Sequence, residues 1–154
     1  MKQAKYPSAE IRCDGNLFAI ENFTFFPEEK KQGNPYNTTF HIRVVSGSFG
    51  GYAYCEYDIK EFIRFAREME ELFCFKRDKT ELNDICYGSK VVFCMDRTGH
   101  LDISGKIFGH AAEHCLNFRF AADQTCLNAF IQTVNAWIME TGDSAPGFMD
   151  CRTN

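Results

Sequence analysis

No stretch of this chain approaches the roughly 18 apolar residues needed to cross a bilayer, and its opening, MKQAKYPSAE, lacks the apolar middle of a secretory signal. The expectation is a soluble, unexported, cytoplasmic protein. An excess of positive charge is also missing. Seventeen basic residues stand against 21 acidic ones, for a net charge of −4, the wrong sign for a general binder of phosphate backbones. Neither a nucleic-acid nor a membrane partner is expected. There is no C-x-x-C pair, the closest cysteines being Cys86 and Cys94, which removes zinc-ribbon and thioredoxin-like sites. A Gly-rich phosphate loop, a nucleophile elbow and a metalloprotease helix motif are absent too. The glycine cluster SGSFGG at 46–51 lacks the spacing and the following helix of a dinucleotide site.

What remains is an ordinary globular composition. The chain has 154 residues, 45% hydrophobic and 25% charged, enough for one core and the usual size of one domain. Residues 1–140 are expected to form a single domain and 141–154 (TGDSAPGFMDCRTN) an irregular tail. Eight cysteines could suggest a disulfide framework, but such frameworks belong to small secreted proteins poor in core residues. With 16 Phe and 6 Tyr, the cysteines read as reduced thiols, and Cys55, Cys94, Cys115 and Cys126 as small hydrophobic fillers. His110, His114 and Cys115 are potential metal ligands. However, His114 and Cys115 would face opposite sides of a strand, so no metal or cofactor is expected.

Apolar runs on either side of Gly15 and Asn16 predict two opening strands, Ile11 to Asp14 and Leu17 to Phe26. Pro27 to Asn37 reads as an exposed loop. Thr39 to Ser46 alternates Phe40, Ile42 and Val44 with more polar neighbours, the period of a half-buried strand. A turn over 46–51 then leads into a strand at Tyr52 to Tyr57. From Asp58 the period changes. Phe62, Phe65, Ala66, Met69, Leu72 and Phe73 mark one face of a helix capped by Asp58, while Arg64, Arg67, Glu68, Glu70 and Glu71 mark its solvated face.

The second half repeats this plan. Strands are expected at Thr80 to Tyr87, Lys90 to Asp96, His100 to Phe108 and Glu113 to Ala122, with a turn at Asp96 to Gly99. A helix opening at Asp123 then buries Leu127, Phe130, Ile131, Val134, Trp137 and Ile138. The two helices carry the same spacing, offset by 65 residues. Either a duplicated strands-then-helix unit or convergence on a common pattern would produce this. The fold class expected is α+β: a largely antiparallel sheet of about eight strands with two amphipathic helices.

His41, His100, His110 and His114 stand in no recognisable catalytic motif, and caps or solvation account for the carboxylate pairs Asp58/Glu61 and Glu70/Glu71. No catalytic residue is assigned. The aromatics offer a different signal. Tyr52, Tyr54, Tyr57, Phe23, Phe25 and Phe26 fall on both faces of their strands, a pattern that either sheet closure and core packing or aromatic surface left for a partner would produce.

The segment DRTGHLDISGKI (Asp96 to Ile107), followed by LNFRFAADQTCLNAFI (Leu116 to Ile131), resembles the bacterial family of WapI-type immunity proteins and their uncharacterised relatives. The resemblance lies in the Gly99-His100 turn, in Gly105, and in Asp123-Gln124-Thr125 opening a helix. Upstream it includes the glycine-bearing stretch Ser48 to Gly51, the aromatic and acidic strand end Tyr54 to Glu56, and Asp58-Ile59 before Phe62; Tyr54 stands where the family often has Trp. It spans about Thr39 to Ile138. It implies a non-catalytic cytoplasmic protein that binds and neutralises a cognate toxin domain. An acidic pI near 5.6 suits a basic target. The expected binding face joins Tyr52, Tyr54 and Glu56 to an acidic surface of Glu68, Glu70 and Glu71. A general protein-interaction module, a homo-oligomer and a small-ligand binder or enzyme stay open as alternatives.

Overall fold

In the computed structural model, which describes residues 6–142, the chain builds one unit twice: four strands in an antiparallel meander, then a helix. The first half comprises β1 (Ala9–Cys13), β2 (Asn16–Phe25), a short α1 (Pro27–Lys31), β3 (Thr38–Ser46), β4 (Phe49–Tyr57) and α2 (Ile59–Phe73). The second comprises β5 (Lys79–Asn83), β6 (Lys90–Met95), β7 (His100–Phe108), β8 (Cys115–Asp123) and α3 (Leu127–Glu140). Strand order follows chain order in both sheets. This is the expected α+β architecture. Of the expected tail, Thr141 and Gly142 form a turn, and 143–154 lie outside the described residues.

Period-two patterning selects each sheet's inner face. Phe18 and Ile20 lie opposite Val44 and Ile42, and Phe40 lies opposite Cys55. Phe93 lies opposite Ile103, which lies opposite Phe120. These rows and the apolar stripes of α2 and α3 form one buried cluster. Phe18 meets Phe93 edge-on with ring centroids 5.2 Å apart, and Phe23 stacks on Trp137 at 5.1 Å, aromatic geometries that add to simple burial. All six apolar positions predicted for the second helix are buried, as are those of the first except Phe73, which is half-buried.

The helix starts show why sequence fixes some boundaries and not others. Asp58 accepts from the Lys60 amide at 3.0 Å, and the buried Asn37 accepts from the Ile59 amide at 2.8 Å. Two orphan donors are thereby satisfied, a cap of about 1 kcal/mol. Asp123 caps in the same way, accepting from the Thr125 amide at 2.9 Å. Here, however, the Gln124 amide is taken by the Gly99 carbonyl and its side chain donates to the Phe73 carbonyl at 2.5 Å. The chain therefore makes a 3₁₀ turn over Gln124–Cys126, and α3 opens at Leu127 rather than at Asp123.

Other boundaries differ from expectation as well. The 27–37 segment is not all loop, because Pro27 at the first turn, with Glu28 and Glu29 before Lys30 and Lys31, suits the helix dipole and closes α1. The β3–β4 turn needs only Gly47 and Ser48, Gly47 supplying φ +62°, so β4 starts at Phe49. β5 stops at Asn83 because the buried Asp84 captures the amides of Cys86 and Tyr87 at 3.0 and 2.7 Å. Cysteines differ as well. Cys13, Cys55, Cys86, Cys94, Cys115 and Cys126 are free thiols, but of the four expected core fillers only Cys55 is buried. Cys74 is disulfide-bonded, contrary to the reduced state expected of every cysteine.

Candidate functional site

Alternation along β4 sends Ala53, Cys55 and Tyr57 into the core and Tyr52, Tyr54 and Glu56 to the opposite face. Cross-strand register then decides their neighbours. Tyr52 lies opposite Arg43 and Tyr54 opposite His41. The His41 ring stacks on Tyr52 with centroids 4.6 Å apart and planes 5° from parallel. The Arg43 guanidinium sits 4.5 Å from the Tyr52 ring centre, a cation–π geometry. Arg43 is itself held by Glu21 through bonds of 3.0 and 3.3 Å.

Asn22 completes the cluster. It has φ +57° where the pairing of β2 with β3 shifts register, and this bulge lets its side chain donate to the Tyr52 hydroxyl at 2.9 Å and lie 3.3 Å from His41 Nδ1. Tyr54 meets His41 edge-on at 5.6 Å and donates to Glu56 at 3.0 Å. Burial pushes the Tyr54 phenol up to about 12, and the Glu56 carboxylate adds to the shift. Burial holds the His41 imidazole below its ordinary value, an effect the Glu21 charge opposes and the Arg43 charge reinforces. The face thus combines neutral aromatic rings with a guanidinium fixed in place. Tyr52 keeps 43% of its surface exposed.

The expected acidic surface on α2 does not form as drawn. Glu68 and Glu71 share Arg77 at 3.5 and 3.6 Å. Glu70, read as solvated, is buried and receives the Asn135 side-chain amide at 2.7 Å where α2 meets α3. Its second carboxylate oxygen and the Asn135 carbonyl have no hydrogen-bond partner. Burial raises the Glu70 carboxyl above the ordinary carboxylate range, against the opposing Asn135 hydrogen bond and Arg67 charge. Glu70 is therefore withdrawn from the exposed candidates.

Structure thus brings Tyr52, Tyr54 and Glu56 together and adds His41, Arg43 and Asn22, which the sequence reading did not assign. Elsewhere, an open hollow of about 540 Å³ is lined by residues that include Asp96, His100, Asp102 and Arg119. Within it His100 lies 3.2 Å from Asp96, and Arg119 pairs with Asp102 at 2.7 Å.

No family model and no curated protein matches this sequence. A solved structure of Trypanosoma bruciei MRP1/MRP2 is similar over 84% of this chain and 77% of that one, with a TM-score of 0.49 and 9% identity. No helix among the described residues is long and apolar enough to cross a membrane.

Proposed function

We propose that this chain is a non-catalytic protein-binding module that engages its partner through the outer face of β2, β3 and β4. The observation that carries this reading is the stack of His41 on Tyr52 beside Arg43, on a sheet face turned away from the core. Tyr and Arg are the side chains that concentrate binding energy at protein interfaces. Here they are already held by Asn22 and Glu21, so little rotamer freedom is lost on association.

The resemblance to WapI-type immunity proteins supplies the partner class, a cognate toxin domain met in the cytoplasm. Glu21 and Glu56 place carboxylates beside the tyrosines, and the net charge of −4 favours a basic target. Glu68 and Glu71, shared with Arg77, contribute less. Tagged chain expressed in its own host should co-purify with one toxin polypeptide at moderate salt, release it at high salt and protect cells from it. The double variant Tyr52→Ala/Tyr54→Ala should do neither. Recovery of the chain alone, or protection unchanged in the double variant, overturns the reading.

A further inference from the structure

The start of α3 brings together residues from opposite ends of the sequence. Cys13 closes β1, Asp123 closes β8, and Cys126 lies in the 3₁₀ turn that follows. Their ligand atoms all lie within 4.8 Å of one another. Cys126 Sγ is 3.8 Å from Asp123 Oδ1, and Cys13 Sγ is 3.8 Å from Asp14 Oδ2. From this geometry we infer a zinc-class metal site built from the Cys13 and Cys126 thiolates and the Asp123 carboxylate, with Asp14 or water as fourth ligand.

The distances suit the chemistry. Four ligands at about 2.3 Å from a tetrahedral ion stand roughly 3.8 Å apart, so the cluster needs only small side-chain rotations to close. Two thiolates and a carboxylate select a borderline-soft cation over magnesium or calcium. Asp123 Oδ1 also accepts from the Thr125 amide and hydroxyl, and the same oxygen faces the Cys126 sulfur, so these bonds hold the carboxylate toward the sulfurs. All three residues are half-buried or exposed, so an ion can enter. Once there, it would tie the first strand of the chain to the last helix.

The test is a cobalt(II) titration of the full chain under anaerobic conditions without reductant, so that the Cys74 disulfide stays intact, followed by zinc(II) competition. One equivalent should generate thiolate-to-cobalt charge-transfer and tetrahedral d–d absorption, abolished by zinc. Cys13→Ser and Cys126→Ser should each weaken binding at least tenfold and remove most of the charge-transfer intensity, whereas Cys86→Ser should bind as the parent does. Zinc should raise the melting temperature of the parent but not of either serine variant, and circular dichroism of the two variants reports their folding. Because the two cysteines sit on different elements, either variant alone suffices if the other is misfolded. Absence of these bands in tenfold cobalt excess, or bands that persist in the Cys13→Ser/Cys126→Ser double variant, overturns the inference.

Discussion

On the outer face of the first sheet, Tyr52, His41 and Tyr54 pack beside Arg43. The matching face of the second sheet carries Lys79, Cys94, Asp102 and Ala121 in one row and Glu81, Val92, Ser104 and Arg119 in the next. Strand order is the same in both sheets, and both inner faces are filled by Phe, Ile and Val. Shared packing constrains those inner faces. Nothing in the fold requires large rings outside one sheet and short or charged side chains outside the other, so core packing alone does not account for the contrast.

The largest expected effect tests whether the aromatic face depends on the second sheet. Asp84, at the end of β5, accepts the Glu56 amide of β4 at 2.7 Å as well as two amides of its own loop. Asp84→Ala leaves these donors without their acceptor, at a cost of about 3 kcal/mol in urea unfolding. A loss below 1 kcal/mol would mean that the two faces are independent.

Next comes the contrast itself. Tyr52→Ala should weaken partner binding roughly tenfold, about 1.4 kcal/mol, while Ser104→Ala on the other sheet should leave calorimetric affinity unchanged. Equal losses would erase the distinction.

A smaller effect separates the faces from the core between the helices. With the folded Glu70 carboxyl raised, its contribution to stability is full below the ordinary value near 4.3 and is lost as pH rises through the folded value. Glu70→Gln supplies a neutral donor for the unpaired Asn135 carbonyl. It should therefore stabilise the protein by about 1 kcal/mol at pH 7 and converge with the parent near pH 4 in thermal melts. Destabilisation at pH 7 would show that the charge is needed.

The smallest effect concerns His41. Because its pKa is depressed, stability is fully present above the ordinary value near 6.5 and falls as pH drops through the folded value. His41→Phe should flatten that slope, changing stability by less than about 0.5 kcal/mol for so accessible a group. NMR titration of the parent should place the His41 midpoint below the ordinary imidazole value near 6.5.

Much of this was legible in sequence because periodicity reports burial directly. The stripes of α2 and α3, the alternation of Tyr52, Tyr54 and Glu56, and the Asp58 cap depend only on local spacing. Element ends were less readable, since Asp84 stops β5 through side-chain capture of its own loop's amides and Gln124 delays α3 through bonds to the distant Gly99 and Phe73 carbonyls. Glu70 was misread because its charge suggested solvent, although it lies four residues after Ala66 on the apolar flank and 65 before Asn135, the same offset that relates the two helices. His41, Arg43 and Asn22 join the tyrosines only through the pairing of three strands, and Cys13 meets Cys126 only when both halves have folded.

The contact between Glu70 and Asn135 has a consequence for assembly. Two copies of the first half meeting through α2 would set carboxylate against carboxylate in a dry interface, which is strongly unfavourable. Two copies of the second half would offer only amide against amide. The mixed arrangement alone places a donor on a carboxylate. A repeated scaffold thus carries an unlike pair at equivalent positions, which sets the pairing of the two halves of one chain apart from a pairing of two first halves.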